Sequence, residues 1–186
     1  MSGLPSGTGR AGRWALLMLA CSALTATAWA AKAPNLKLKD LAGQSQELSA
    51  LHGQIVVVNF WATWCGPCQE ELPRLRALAK AWDGKSVEFV AVSIDSPKDE
   101  AKIAPLLQRL HVDPGGNFAV WEGSSQYAMQ SFGLGGVVPD TVVIGPKGEI
   151  VTRIEGEARD ADVRTAVEWL LNGRQGPAPA SIVRRY

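Results

Sequence analysis

The chain has 186 residues, and its 19 Lys+Arg and 18 Asp+Glu give a formal net charge of +1. This balance argues against a bulk electrostatic role on nucleic acid or on an anionic membrane. Hydrophobic residues make up 46% of the chain, which is ordinary for a globular domain with a core. Three cysteines are too few for a disulfide-dense scaffold, so their positions matter more than their number.

The first thirty residues have the features of a secretory signal. Arg10 and Arg13 precede an apolar run over 14–24, and the sequence AWA at 28–30 has small residues at the positions a signal peptidase requires. The run is shorter than the roughly 20 residues that a membrane helix needs. We therefore predict a signal peptide over residues 1–30, cleaved after AWA, with an uncleaved N-terminal anchor as the alternative.

Cleavage would leave a mature chain with two cysteines. Cys21 would leave with the signal, and Cys65 and Cys68 would remain in an oxidising compartment. The redox state of this pair is then decisive for function.

The predicted elements after the signal alternate between strands and helices. Residues 34–53 indicate a short β-hairpin, with a turn at 42–44 and a return strand from Leu48. Residues 55–61 form a nearly continuous β-branched run, typical of a strand that is buried on both faces. From Gly66 onward, apolar residues recur every three or four positions, which predicts a helix.

The second half of the chain continues this alternation and ends in a hairpin and a helix. We predict strands over 87–94, 118–121, 141–144 and 149–154, and helices over 99–110, 124–132 and 160–171. Together these elements predict an α/β fold in which a central mixed β-sheet is flanked by helices.

The predicted domain covers residues 31–173. Residues 174–186 carry two prolines and show neither a helical nor an alternating period, so we predict a flexible C-terminal tail.

Cys65 and Cys68 stand two residues apart, directly behind the predicted strand over 55–61. A structural zinc site needs four ligands, and neither His52 nor His111 has ligand spacing. A structural disulfide across so short a loop would restrict little chain entropy. A reactive dithiol fits this pair best.

The position of the pair predicts the role of each sulfur. Cys65 lies at the start of the predicted helix, where free backbone N–H groups and the positive end of the helix dipole stabilise a thiolate. Cys68 lies one turn further along and is predicted to be shielded. Cys65 is therefore the predicted nucleophile and Cys68 the resolving thiol, while Gly66 and Pro67 shape the turn between them.

At this point the residues resemble a known family. FWATWCGPC behind a β-branched strand is similar to thioredoxin, and the following Glu-Glu-Leu-Pro with the predicted signal resembles the TlpA/ResA type. The resemblance implies a thioredoxin fold with an N-terminal β-hairpin extension. It also implies an extracytoplasmic thiol–disulfide oxidoreductase with a redox-active Cys65–Cys68 disulfide, in a branch that includes cytochrome c maturation reductants.

The same resemblance implies the partners and the compartment. Disulfide-bearing exported proteins would be the substrates, and a membrane thiol–disulfide electron donor would recharge the dithiol in the periplasm. We expect a monomer with no cofactor, no metal and no nucleic-acid partner.

Other site residues follow from the resemblance too. Pro139 matches the family's cis-proline opposite the cysteines, with Val138 beside it in the substrate groove, although Pro139 alone would be interpreted as an ordinary strand-entry proline. Trp64 is predicted to belong to an exposed docking rim.

One position departs from thioredoxin, which carries a buried acid where this chain has Asn59. Some ResA-type members instead place a glutamate just after the second long strand, at a position that falls near Ser96 here, and Asp95 is its acidic neighbour. Asp95 is therefore the candidate proton-relay residue, although a solvated aspartate at a strand end is the simpler interpretation.

Gly66 and Pro67 between the cysteines resemble the reducing thioredoxins, so a reductant is expected. Two alternatives share the fold. A thiol peroxidase would carry threonine three residues before Cys65, where Ala62 stands, and a copper-binding module would add a histidine ligand to the cysteine pair.

Overall fold

The computed structural model describes residues 31–186. The predicted signal peptide over 1–30 and Cys21 lie outside the described residues. Within 31–186, no helix combines the length and apolar character that crossing a bilayer requires.

Within residues 31–186, eight strands form one sheet. They are β1 (Lys37–Asp40), β2 (Ser45–Glu47), β3 (Ile55–Trp61), β4 (Val87–Ser93), β5 (Phe118–Glu122), β6 (Asp140–Ile144), β7 (Ile150–Gly156) and β8 (Ile182–Arg185). Their order is β2-β1-β5-β4-β3-β6-β7-β8. β3, β4 and β5 run parallel, whereas β6 is antiparallel to β3 and to β7.

Four α-helices accompany the sheet in the described part of the chain. They are α1 (Gly66–Ala79), α2 (Ile103–Arg109), α3 (Gln126–Ser131) and α4 (Asp160–Leu171), with short 3-10 turns at Leu48–Leu51, Lys80–Trp82 and Glu100–Lys102. α1 packs against β4, and α4 packs against β3, β6, β7 and α1. The predicted central mixed sheet flanked by helices is confirmed.

The core follows the sequence pattern of the central strands. All seven residues of β3 are buried, and α4 buries Val163, Ala166, Val167 and Leu170 at the three- and four-residue spacing of one helix face. Burial of apolar surface stabilises a fold by roughly 25 cal/mol per Å². β3 is therefore a rigid support for the loop that follows it.

The sheet directions gather three chain segments at one edge. β3 and β4 are parallel, so their carboxyl ends meet, and the antiparallel β6 starts at the same edge. The cysteine pair follows β3, Asp95 follows β4, and Pro139 precedes β6. In open α/β sheets, ligands commonly bind at this edge.

The N-terminal hairpin is present with a shifted return strand. β1 pairs with β2 and also with β5, which joins the hairpin to the main sheet. The return strand is Ser45–Glu47, and Leu48 begins a 3-10 turn instead of the strand. The Leu48 N–H donates to the Leu36 carbonyl, and both side chains are buried, so this contact closes the hairpin.

The prediction that residues 174–186 form a flexible tail is wrong for their last part. Ile182–Arg185 forms β8, which pairs in parallel with β7 at the sheet edge. Arg184 forms an ion pair with Glu155, and Arg185 forms one with Asp162. These partners lie far away in sequence, so no local pattern indicates the strand.

Candidate active site

Cys65 and Cys68 form a disulfide at the start of α1. Cys65 is the N-cap residue, and its sulfur accepts a hydrogen bond from the Cys68 N–H at 3.2 Å. Cys65 is 5% exposed and Cys68 is fully buried. Cys65 is thus the more accessible of the two sulfurs, and the roles of nucleophile and resolving thiol stay predictions.

The turn residues of the motif lie at the surface. Gly66 and Pro67 are exposed in the first turn of α1, where proline is tolerated because its missing N–H would have no helical partner. Trp64 is 62% exposed, whereas Trp61 is fully buried in β3.

Pro139 and Val138 lie opposite the cysteines, as the resemblance implies. The Val138–Pro139 peptide bond is cis. The Cys65 sulfur lies 3.6 Å from the Val138 carbonyl oxygen. The loop before β6 and the N-terminus of α1 therefore form the two walls of one site.

Asp95 is buried, with 1% of its surface exposed, so the interpretation as a solvated aspartate is wrong. Its carboxylate accepts hydrogen bonds from the Thr63 N–H at 2.9 Å and from the Thr63 hydroxyl at 2.6 Å. The Ser93 hydroxyl donates to it at 2.7 Å. These bonds connect Asp95 to the loop before Cys65.

Glu71 is a buried carboxyl of the site that the sequence analysis missed. It lies on α1 three residues after Cys68, and its side chain is fully buried. Burial raises its pKa to about 7, although hydrogen bonds from the Ala158 N–H and from Asn59 oppose this effect. A signal was available, because Glu71 shares the apolar face of α1 with Cys68 and Leu72.

Asn59 connects Glu71 to the strand that follows Pro139. Its amide nitrogen donates to the Glu71 carboxylate at 2.9 Å and to the Thr141 hydroxyl at 3.0 Å. Its side-chain oxygen is buried without a hydrogen-bond partner in the described part of the chain. The neutral side chain at this position therefore holds an acid that α1 supplies.

A second buried acid stands directly after Pro139. Asp140 is 2% exposed, and its carboxylate accepts a hydrogen bond from the Gly156 N–H at 2.8 Å. Burial, together with the charge of Glu155, raises the pKa of Asp140 to about 7. Burial thus raises the pKa of two carboxyls near the disulfide, Glu71 on α1 and Asp140 at the start of β6.

The two histidines lie in other segments. His52 follows the 3-10 turn before β3, and His111 follows α2 with a positive φ of 54°. Among residues 31–186, no three His, Cys, Asp or Glu side chains lie together in a group suited to a metal ion.

Comparisons with known proteins agree with this geometry. The sequence matches the AhpC/TSA family over residues 30–153. It is 35% identical over 141 residues to the thiol-disulfide oxidoreductase ResA of Bacillus subtilis, covering 76% of this chain and 75% of that protein.

Solved structures show the same architecture. A thiol:disulfide interchange protein from Bacteroides sp. matches with a TM-score of 0.62 at 27% identity, over 80% of this chain and 93% of its own. A putative thiol:disulfide interchange protein DsbE from Chlorobium tepidum matches with a TM-score of 0.59 at 25% identity, over 79% of this chain and 97% of its own. The chain thus belongs to the AhpC/TSA family and, within it, to the thioredoxin-fold thiol–disulfide oxidoreductases of the ResA type.

Proposed function

We propose that this protein reduces disulfides of exported proteins through the Cys65–Cys68 dithiol. One observation carries the proposal. Cys65 caps the 14-residue helix α1, with Cys68 fully buried behind it and the Val138 carbonyl 3.6 Å from its sulfur. The helix N-terminus stabilises a thiolate at Cys65, and the adjacent loop offers backbone groups to an extended client.

The reaction proceeds in two exchanges. The Cys65 thiolate attacks one sulfur of the client disulfide, the client S–S bond breaks, and a mixed disulfide forms. Cys68 then loses its proton and attacks the Cys65 sulfur, which releases the client as a dithiol. Two electrons pass to the client, and Cys65 and Cys68 are oxidised to a disulfide. A membrane dithiol donor must then reduce this disulfide again.

We assign the proton of Cys68 to Glu71. Glu71 lies one helical turn beyond Cys68, and its pKa of about 7 allows it to exchange a proton near neutral pH. Asp95, the acid proposed from the sequence, is occupied by Thr63 and Ser93. It orients the loop before Cys65.

Trapping of the mixed disulfide tests the roles of the two cysteines. Cys68→Ala should accumulate covalent complexes with client proteins, because the resolving thiol is absent, whereas Cys65→Ala should form none. Equal trapping by both variants, or preferential trapping by Cys65→Ala, would reverse the assignment. The measurement is non-reducing electrophoresis of the purified variants after exposure to periplasmic extract.

We further infer that the protein works as a monomer in the periplasm, with cytochrome c maturation as its pathway. The predicted signal sequence and the ResA-type relatives support this placement. N-terminal sequencing of the protein from its native host should give a start at Ala31. A Met1 start in a carbonate-resistant membrane fraction would instead establish the anchor.

A further inference from the structure

A groove of about 420 Å³ lies beside Trp64. One wall is formed by Thr63 and Trp64, and the opposite wall by α2 and the turn before it, including Pro105 and Leu106. Trp64 immediately precedes the nucleophile Cys65 in the chain. A client that reaches Cys65 therefore passes close to the groove.

Hydrogen bonds hold Thr63, the residue before Trp64 on the same wall. The Thr63 N–H and hydroxyl both donate to Asp95, at 2.9 and 2.6 Å. On the other side, the Gln69 amide donates to the Thr63 carbonyl at 2.8 Å. A wall whose backbone is already ordered loses less conformational freedom when a partner binds, which favours affinity.

The charge of the lining is one-sided. Lys102 and Arg109 line the groove, and no carboxylate does so within residues 31–186. The Lys102 ammonium is hydrogen-bonded to Asp99 at 2.7 Å, whereas the Arg109 guanidinium has no ion pair within those residues. An anionic group is thus the complement that the groove lacks.

We propose that this groove is a client subsite that binds the segment beside the client's disulfide. An apolar client side chain packs on Trp64 and Pro105, and an acidic side chain pairs with Arg109. This inference rests on the proposed function, because it requires a protein client at Cys65. It names the clients as proteins with an acidic residue a short distance from the reactive cysteine.

Peptide kinetics test the proposal. A disulfide-containing peptide is prepared with glutamate, glutamine or lysine at successive positions outside its cysteines. The reduced protein supplies the two electrons, and the second-order rate constant of this single exchange is measured for each peptide. An exposed ion pair contributes about a two- to fivefold factor, so one position should favour glutamate over glutamine by that amount. High salt should reduce the preference, because ions screen exposed charges.

Variants of Arg109 test whether this residue pairs with the acidic side chain of the client. Arg109→Gln should bring the glutamate-to-glutamine ratio to about one, and Arg109→Glu should favour the lysine peptide. Lys85→Gln is the matched control, since it removes one exposed positive charge just before β4, at the opposite end of that strand. It should keep the wild-type ratio. Because each ratio is taken within one variant, a change in overall activity does not enter.

The outcomes separate the two proposals. A wild-type protein that reduces every peptide equally, or an Arg109→Gln variant with an unchanged ratio, would overturn the subsite alone. A wild-type protein that reduces no peptide would overturn the proposed function and the subsite together.

Discussion

Asp95 and Glu71 are both buried carboxyls near the cysteine pair, and their surroundings differ. Asp95, beyond β4, accepts hydrogen bonds from Thr63 and Ser93, both through short contacts of 2.6–2.9 Å. Glu71, on α1, accepts from the Ala158 N–H at 2.6 Å and from Asn59 at 2.9 Å. Asp95 has three donors on two oxygens at these distances, whereas Glu71 has two.

The difference indicates a structural role for Asp95 and a chemical role for Glu71. The three donors to Asp95 belong to Thr63 and Ser93, so this carboxylate fixes both residues in place. Glu71 has fewer donors, and burial raises its pKa to about 7. We infer that Asp95 stabilises the loop before the nucleophile and that Glu71 exchanges the proton.

Removal of Asp95 should have the largest effect on stability. Asp95→Ala leaves the Thr63 N–H and the Ser93 hydroxyl without their buried acceptor, so the free energy of unfolding should fall by about 3 kcal/mol or more. Urea unfolding of the oxidised protein measures it. Asp99→Ala, a partly exposed aspartate in the next turn, is the control and should have a much smaller effect. A loss no larger than that of the control would show that Asp95 does not hold the loop.

Glu71→Gln should change how stability depends on pH. The unfolded carboxyl ionises near 4.5, whereas the folded one keeps its proton to about 7. The folded state therefore binds one more proton between these values, and stability falls as pH rises through the window, by about 1.4 kcal/mol per pH unit. Glu71→Gln should remove this contribution, which unfolding at successive pH values measures.

Glu88→Gln serves as the control for Glu71. Burial also raises the pKa of Glu88 to about 7, but this residue lies near the start of β4, at the end opposite Asp95. Both variants should flatten the stability profile, and only Glu71→Gln should alter the pH dependence of client release from the mixed disulfide. An equal change of release in both variants would remove Glu71 from the proton step.

Deletion of residues 182–186 should act on the Glu71 side alone. β8 pairs with β7, and Arg185 holds Asp162 at the start of α4, close to the loop that carries Ala158. Loss of the β7–β8 ladder should lower the free energy of unfolding by about 1–2 kcal/mol. The Ala158 N–H should then donate less well to the Glu71 carboxylate. Since this hydrogen bond lowers the pKa of Glu71, that pKa should rise. A carboxyl NMR titration measures this shift, and an unchanged Glu71 would show that the strand supports only the sheet edge.

The sequence was sufficient for the parts of the site that depend on local pattern. β3 was predicted at its observed bounds, because a continuous β-branched run needs burial on both faces. Cys65 was placed at the helix N-terminus, since the change from strand to helical periodicity locates that end.

The parts that the sequence missed depend on distant partners. Asp95 contacts Thr63, 32 residues earlier, and Glu71 contacts Ala158, 87 residues later. A charged residue is usually exposed, so the burial of Asp95 could not be inferred without these contacts. The position of Glu71 on the apolar face of α1 was a signal, but it did not identify the partner of the carboxyl. β8 was not predicted for the same reason. Its Arg184 forms an ion pair with Glu155, 29 residues earlier in the chain.

Thr141→Val should have the smallest effect and is the most specific test of the Glu71 network. The Thr141 hydroxyl accepts from Asn59 at 3.0 Å, and valine keeps the shape while removing this acceptor. The free energy of unfolding should fall by about 1 kcal/mol, because one buried N–H loses its partner. Asn59 would then be held less firmly against Glu71, whose pKa it lowers, so the pKa of Glu71 should rise.

Thr152→Val is the matched control for Thr141→Val. Thr152 lies on β7, and its buried hydroxyl donates to the Ala180 carbonyl at 2.5 Å. It should lose similar stability and leave the Glu71 titration unchanged. An identical Glu71 titration in both variants would mean that Asn59 is fixed by packing and not by Thr141.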